Sequence, residues 1–339
     1  MFTCFRYYVQ RVSKFSRRIG MALRGQIAIV TGASRGIGQG IALQLGEAGA
    51  TVYVTGRKPG QSDGNTQNGL PSLEQTAQEI SDRGGKGIPV YVDHSNMEEV
   101  KSFFSRIDSE NKGQLDILVN NAYAAVNAIF NETSKKAKFY EADPEFWDLV
   151  NNVGLRNHYF CSVYASRLMV KNGKGVIVNV SSAGGLTYLF NVAYGVGKQA
   201  LDRMAADMAV ELKSDGVTSV SLWPGAVRTQ LIQGALKDEK YAASGIGRMF
   251  IEGESIEYAG KAVVALAADK RVIEKTGRIL STADLGDEYG FVDIDGRHPP
   301  NFRSISFALR RAGWTRTSEF IPGWLKCPGW IITAFCSKL

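Results

Sequence analysis

The sequence predicts an α/β fold in which a parallel sheet of about seven strands carries helices on both faces. Short apolar runs alternate with helical patterns along a chain of 339 residues, and parallel strands need such crossover connections. The first apolar run leads directly into a glycine-rich turn at residues 31–38. Polar residues follow several later runs, at the sheet edge where folds of this class bind ligands.

The first elements follow from apolar spacing and from the turn residues that end them. Residues 26–31 form a short apolar run, typical of a buried parallel strand. Residues 38–48 have apolar side chains at helical spacing and stop at Gly49. Residues 51–55 predict a second buried strand, and residues 57–72, rich in Gly, Pro, Asn and Ser, predict a long loop.

The remaining elements repeat this alternation. Helices are predicted at 72–83, where Gly84 and Gly85 follow, and at 97–110, 146–170, 193–213 and 256–268. Strands are predicted at 87–92, 115–119, 175–180, 217–222 and 277–280. These elements predict one domain, residues 21–284, between a basic N-terminal extension, 1–20, and a basic aromatic C-terminal extension, 285–339.

The net charge of +7 is concentrated in the two extensions. Residues 1–20 contain five basic residues and no acid, and from Arg297 onward there are seven basic residues and one acid. The basic, aromatic C-terminal tail indicates either peripheral contact with anionic lipid or a tail that folds back over a hydrophobic surface of its own or of a partner. Nothing in the sequence resembles an RNA-binding or zinc-finger motif, so no nucleic acid partner is expected. Residues 1–20 are either a transit-like segment or an addition before an effective start at Met21.

Composition and residue spacing argue against a membrane span, paired cysteines and a metal site. No apolar run reaches the roughly 20 residues of an ordinary membrane span. The four cysteines show no Cys-x-x-Cys spacing and are expected to be free thiols. The three histidines are far apart, so no metal site is predicted.

The glycine-rich turn predicts a dinucleotide site. Gly32, Gly36 and Gly38 let the backbone turn sharply and approach a pyrophosphate, which the N-terminus of the following helix favours. Ser34, Arg35 and Ile37 lie between these glycines and belong to the same predicted cofactor site.

Tyr194 and Lys198 lie four residues apart, on one face of the predicted helix 193–213. An ammonium beside a phenol is expected to lower the pKa of the phenol, which makes Tyr194 a usable acid or base near neutral pH. A phenol that transfers a proton, beside a cofactor that transfers a hydride, predicts a carbonyl/alcohol oxidoreductase.

Other strand ends carry polar residues that suit the same cleft. Asp93 either accepts from an adenine amine or caps the next helix. The amide of Asn121 is expected to join neighbouring strand ends and line the cofactor cleft. One hydroxyl of Ser181 or Ser182 is expected to bind a substrate carbonyl, and Thr229 a carboxamide.

Together these motifs resemble the short-chain dehydrogenase/reductase family over about residues 25–283. The matching residues are Thr-Gly-Ala-Ser-Arg-Gly-Ile-Gly at 31–38, Asp93, Asn-Asn-Ala at 120–122, Ser-Ser at 181–182, Tyr194, Lys198 and Pro-Gly at 224–225. The resemblance implies a Rossmann-type sheet, catalytic roles for Ser182, Tyr194 and Lys198, and contact of Tyr194 and Lys198 with the cofactor. Ser181 fits the usual separation from the tyrosine and Ser182 the strand register, so Ser182 is preferred and Ser181 is taken as a substrate-binding neighbour.

Two positions depart from the family pattern. Tyr123 follows Asn-Asn-Ala where the family usually has glycine, which places a bulky ring near the nicotinamide. The helix asparagine that holds a proton-relay water in the family is missing at the expected count, where Gly154 stands. Asn151 and Asn152 are nearby, but a bulge would be needed to present either, and the role stays unassigned.

Two arginines favour NADP over NAD. A site for NAD places an acid at the end of the second strand, whereas here Arg57 follows that strand and Arg35 lies in the glycine-rich turn. Two guanidiniums suit a 2′-phosphate; the alternative is that both are solvated surface residues.

The sequence therefore predicts an NADPH-dependent reductase of apolar ketones. The resemblance implies steroid, prostanoid or xenobiotic substrates, attachment to the endoplasmic reticulum, with cytoplasm or mitochondrion as alternatives, and a homo-oligomer formed through the helices at 146–170 and 193–213. The alternative function is a non-enzymatic dinucleotide-binding scaffold or sensor at a membrane surface.

Overall fold

The computed structural model describes residues 20–58, 71–129, 138–322 and 325–336. All but the last residue of the predicted N-terminal extension, 1–20, lies outside the described residues. So do most of the predicted loop 57–72 and the tail residue Trp324.

Seven parallel strands form the sheet in the order β3-β2-β1-β4-β5-β6-β7. Their bounds are β1 Ile27–Val30, β2 Thr51–Gly56, β3 Lys86–Tyr91, β4 Ile117–Asn120, β5 Gly175–Val180, β6 Val217–Trp223 and β7 Ile279–Ser281. The strand order reverses direction between β1 and β4, and a cleft opens at the carboxyl ends of such a pair. The predicted doubly wound α/β fold is confirmed.

Helices connect the strands and continue beyond them. Their bounds are α1 Gly36–Glu47, α2 Leu73–Asp82, α3 Met97–Glu110, α4 Phe146–Asn151, α5 Asn157–Met169, α6 Val192–Leu212, α7 Gln230–Ala235, α8 Glu239–Ala243, α9 Gly245–Ile251, α10 Ile256–Ala268, α11 Thr282–Tyr289, α12 Ile305–Arg311, α13 Thr315–Phe320 and α14 Gly329–Cys336. No helix of the described residues has both the length and the apolar character to cross a membrane.

The sheet separates two apolar layers because alternate side chains of a strand point to opposite faces. In β1, Ala28 and Val30 pack into the layer formed with α1 and α10, whereas Ile29 packs into the layer formed with α3 and α5. Both layers are fully buried at these positions, which explains why the strands read as continuous apolar runs rather than as alternating patterns.

The predicted helix 146–170 is wrong as a single α-helix. A π-helical turn, Asn152–Arg156, separates α4 from α5. Apolar spacing did not reveal this turn, because the spacing between apolar residues already alternates between three and four in a regular helix. The short helices α7, α8 and α9 were also missed, since each has only five to seven residues and shows no sustained period.

The C-terminal extension folds back onto α11. Arg303 and Lys326 both pair with the Asp284 carboxylate at 2.9 Å, and Lys326 also pairs with Asp287 at 2.6 Å. An antiparallel bridge joins Ser304 to Lys326. Burial alone would raise the pKa of Asp284, but the charge and hydrogen bond of Lys326, with hydrogen bonds from Asn301 and Ser281, outweigh it and lower this pKa to about 2. The predicted domain boundary at residue 284 therefore falls inside the helix that holds the extension.

Candidate functional site

One cavity of about 1290 Å³ runs along the carboxyl ends of the strands, from the glycine-rich turn to the C-terminal extension. This volume exceeds the roughly 300–1,000 Å³ of a usual small-molecule pocket, so it can hold both a dinucleotide and a substrate. The predicted site residues that border it are Gly32, Ser34, Arg35, Gly36, Ile37, Arg57, Asp93, Asn121, Ser181, Ser182, Tyr194, Lys198 and Thr229.

The glycine-rich turn is close-packed in a way that a side chain would prevent. Gly32 has a φ of +65°, and a Cβ there would lie 2.7 Å from the Ala122 Cα. A Cβ on Gly38 would overlap the Gly32 carbonyl oxygen and the Asn121 amide. The Asn121 Nδ2 donates to the carbonyl oxygens of Thr31 and Gly32 at 2.9 and 3.0 Å, which holds the turn against β4. Glycine is therefore needed at both positions for the turn to pack against β4.

Asn120 joins strand ends beneath this turn. Its Nδ2 donates to Asn179 Oδ1 in β5 and to Ser162 Oγ in α5, both at 2.9 Å. Next to it, the ring of His158 is buried and its Nε2 lies 3.0 Å from the Ala122 carbonyl oxygen. Burial, with the nearby Lys198 charge, lowers the pKa of His158 to about 3, so this imidazole is neutral and holds the backbone after β4.

Two guanidiniums converge at the end of the cavity beside α1. Burial lowers the pKa of Arg35, and the charge of Arg57 lowers it further. Asp93 lies in the same region, and hydrogen bonds from Ser95 together with the Arg57 charge outweigh its burial and lower its pKa. Asp93 does not cap the next helix, since Asn96 accepts from the first amides of α3. The surplus of positive charge at this end suits an anionic group.

Tyr194 and Ser182 form a hydrogen-bonded pair inside the cavity. The Tyr194 Oη donates to the Ser182 Oγ at 2.9 Å, and the same oxygen accepts from the Gly184 amide at 2.9 Å. Asn191 caps α6 by accepting from the Tyr194 amide at 2.9 Å, which fixes the first turn of the helix. One turn later, Lys198 Nζ lies 5.8 Å from the centre of the Tyr194 ring.

The pKa of Tyr194 moves opposite to the sequence-based expectation. Burial raises it, and the hydrogen bond to Ser182 only partly offsets this. The expectation that the pKa of Tyr194 lies below its usual value is therefore wrong. Burial lowers the pKa of Lys198 itself to about 8, against the opposing charge of Asp202. A phenol that keeps its proton at neutral pH is suited to donate one.

Ser181 and Ser182 have different surroundings. The Ser181 hydroxyl is buried and donates to the Lys198 carbonyl oxygen at 3.0 Å. The Ser182 hydroxyl faces Tyr194. The structure thus brings Ser182, rather than Ser181, together with the phenol, although both serines border the cavity.

The π-helical turn supplies the bulge that the sequence left undecided. Asn151, immediately before it, is buried and its Nδ2 donates to the Ala193 carbonyl oxygen at 3.3 Å. Its Oδ1 occupies the space that a Cβ on Gly197 would need. Asn151 therefore touches α6 on both sides of Tyr194, whereas Asn152 borders the cavity. The sequence named both asparagines without choosing between them.

Two further residues were not predicted from the sequence. The Gln230 Oε1 accepts from the Gly36 amide at 2.9 Å, which joins α7 to the first turn of α1. Glu254 is buried, accepts from the Thr282 hydroxyl at 2.7 Å and pairs with Val227 in a parallel bridge. Burial raises the pKa of Glu254 to about 8. Both hold the loop that carries Thr229, whose own hydroxyl caps α7. The only sequence feature that pointed to Gln230 was its position directly after Thr229.

Apolar side chains form the other end of the cavity. Leu189 and Phe190 border it, and the Phe190 ring lies 5.1 Å from that of Tyr194, edge to face. Tyr188 is 75% exposed and does not line it. The remaining walls come from α9 and the C-terminal extension, with Ile246, Met249, Phe302, Phe307 and Arg310.

Comparison with known proteins agrees with this geometry. The family model described as short chain dehydrogenase matches residues 26–240. Dehydrogenase/reductase SDR family member 1 from mouse is 49% identical over 323 residues, which cover 93% of this chain and 98% of the mouse protein. The human protein of the same name is 46% identical with the same coverage. The crystal structure of a proposed 2-deoxy-d-gluconate 3-dehydrogenase from Agrobacterium tumefaciens, with bound NADP, gives a TM-score of 0.62 at 23% identity and covers 77% of this chain and 96% of that chain. At this identity the likeness shows the fold.

Proposed function

Because this chain belongs to the short-chain dehydrogenase/reductase family of oxidoreductases, we propose that it reduces the carbonyl group of apolar ketones with NADPH. The observation that carries the proposal is the contact of 2.9 Å between Tyr194 Oη and Ser182 Oγ, beside the Lys198 ammonium. This group lies between a glycine-rich turn shaped for a dinucleotide and an apolar chamber. A proton donor and an oxygen-binding hydroxyl thus face the space where a carbonyl would bind.

Each side chain has a distinct task in this proposal. Bound NADPH supplies the hydride. Tyr194, whose pKa burial raises, donates its proton to the oxygen of the reduced carbonyl. Ser182 orients that oxygen by hydrogen bonding. Lys198, whose Nζ donates to the Val180 carbonyl oxygen at 3.1 Å, would place a positive charge beside the phenolate that remains, and it would be the residue that holds the ribose of the cofactor.

The choice of NADPH and of the substrate class rests on the two ends of the cavity. Arg35 and Arg57 offer an excess of positive charge where a 2′-phosphate would bind. The apolar walls favour steroid, prostanoid or xenobiotic ketones over sugars. The proposal also includes peripheral attachment to the endoplasmic reticulum and a homo-oligomer formed through the long helices.

Tyr194→Phe tests the assignment of the proton donor. It keeps the ring and removes the hydroxyl, so turnover of a ketone panel with NADPH should fall by roughly 100-fold or more, while NADPH binding measured by calorimetry stays unchanged. Tyr159→Phe is the matched control, because Tyr159 is 56% exposed on α5 and should keep normal turnover. Near-normal turnover of Tyr194→Phe would refute the role. A chain that binds NADPH but reduces no ketone would favour the scaffold alternative.

A further inference from the structure

The aromatic ring of Tyr123 lies beside both Tyr194 and Lys198. It directly follows residues 120–122, at the end of β4. Its ring centre lies 4.9 Å from Lys198 Nζ and 6.4 Å from the centre of the Tyr194 ring, edge to face. Since the Tyr194 ring is 5.8 Å from the same nitrogen, Tyr123 is the nearer of these two rings to the ammonium.

The ring of Tyr123 is held on its other side by the π-helical turn. A Cβ on Gly154 would lie 2.5 Å from the Tyr123 Cε2, which is closer than side-chain contacts come. The ring also packs with Ala125, Val150 and Ala193 in a small apolar cluster. Glycine at position 154 and tyrosine at position 123 therefore fit each other, and the ring has little freedom to leave Lys198.

The hydroxyl of Tyr123 does not explain its presence. It is buried and has no hydrogen-bond partner among the residues that the structure describes, and burial raises its pKa. A buried hydroxyl without a partner destabilises a protein. The part of the side chain that makes defined contacts is the aromatic ring.

Lys198 is a buried cation, and its charge needs stabilising contacts inside the protein. Its ammonium donates to the Val180 carbonyl oxygen at 3.1 Å. Burial opposes the charged form of Lys198, and the charge of Asp202 on the same helix favours it, while the nearby His158 of α5 is neutral. An aromatic face attracts a cation most strongly where water is excluded, as it is here.

We propose that Tyr123 is a positioning residue whose ring keeps Lys198 in its charged form and fixed beside Tyr194. The assignment rests on the proposed function, because Lys198 matters to turnover only if Tyr194 is the proton donor. Glycine, which the family pattern has at this position, cannot make this contact.

Two substitutions separate the ring from its volume. Tyr123→Phe keeps the ring, whereas Tyr123→Leu keeps an apolar group without a π system. Loss of the cation–π contact favours the neutral amine, so Tyr123→Leu should move the alkaline limb of the pH profile of kcat/KM to lower pH, by about one pH unit. Tyr123→Phe should leave the limb in place. If Tyr123→Leu does not fold, Tyr123→Met serves instead, because its flexible side chain fills irregular space.

A purely structural role predicts a different result. Tyr123→Leu would then lower the melting temperature and leave the alkaline limb where it is, and this outcome, or a limb that moves upward, overturns the proposal. Failure of the proposed function is detected separately, as absence of ketone turnover in the unsubstituted protein. In that case, the pH dependence of Lys198 acylation by acetic anhydride, followed by peptide mass spectrometry, measures the same shift in the pKa of Lys198. If the Tyr123→Leu and Tyr123→Phe variants then show the same pH dependence, the contact is refuted.

Discussion

Arg35 and Arg57 decide the choice between the two nicotinamide dinucleotides in the proposed function. The positive charge of Arg57 contributes to lowering the pKa of Arg35 and that of Asp93. A phosphate bound between these two cations would offset their repulsion, and NADPH carries a 2′-phosphate that NADH lacks.

Arg57→Asp should therefore shift the preference from NADPH toward NADH. A charge-assisted hydrogen bond contributes about 1.5–3 kcal/mol, so the KM for NADPH should rise roughly tenfold or more, while that for NADH changes little. Arg271→Asp makes the same charge change at a residue whose side chain is 80% exposed, far along the sequence, and should leave both constants unaltered. Steady-state kinetics with each cofactor measures these KM values. An unchanged preference for NADPH over NADH in both Arg57→Asp and Arg35→Ala would contradict the charge argument.

At the residue scale, the sequence predicted several of the side chains that border the cavity but not their electrostatics. Tyr194, Lys198 and the two serines could be named because their spacing follows the helix and strand periods. The direction of the Tyr194 pKa could not be predicted, because it depends on how completely the phenol is buried. The choice of Ser182 over Ser181 also needed the structure, since neighbouring strand-end residues differ only in where their hydroxyls point.

At the scale of elements, the contact between the π-helical turn and α6 organises the site. Asn151 lies between Ala193 and Gly197, and these two residues flank Tyr194 and precede Lys198 on α6. The sequence predicted both long helices but not the turn within the first. That turn depends on packing against α6 and has no signature of its own in residue spacing.

Gly197→Ala should destabilise the protein, although alanine is the better helix former. The added Cβ would displace the Asn151 side chain, and such overpacking costs about 1–3 kcal/mol in the free energy of unfolding. Gly234→Ala in α7 is the matched control. No atom lies within 4 Å of its added Cβ, so this variant should gain up to about 1 kcal/mol. Chemical denaturation measures both, and an equal gain in the two variants would show that Asn151 does not occupy this space.

At the scale of the whole molecule, the C-terminal extension is part of the cavity wall. Phe302 packs against Trp223 with ring centres 6.2 Å apart, and Arg303 and Lys326 pair with α11. These two cations bind carboxylates of the domain, which is the behaviour expected of a tail that folds back. Removing residues 300–339 would therefore open the cavity, so truncation cannot test membrane attachment cleanly.

Three aromatic residues of the extension remain directed outward. Trp314, Phe320 and Trp330 are 62%, 85% and 72% exposed, and such rings bind at the membrane–water interface. Replacing all three with serine should abolish co-sedimentation with anionic liposomes and leave NADPH binding intact. Phe139→Ser with Tyr140→Ser removes two similarly exposed rings outside the extension, at 70% and 72%, and should not change pelleting. Persistent pelleting of the triple variant would refute peripheral attachment through this surface.

The π-helical turn also sets how the chain tolerates changes of length. Such a turn holds one residue more than an α-helical turn, and each residue of an α-helix rotates the chain by about 100°. Because the extra residue is taken up within one rotation, deleting one residue from Asn152–Arg156 would leave a regular helix with α4 and α5 in nearly the same relative orientation. Asn151 would then stay on the face that touches α6. An alignment that places gaps only in loops will assign the wrong partner to Asn151 in relatives without this extra residue, because the insertion lies inside a helix.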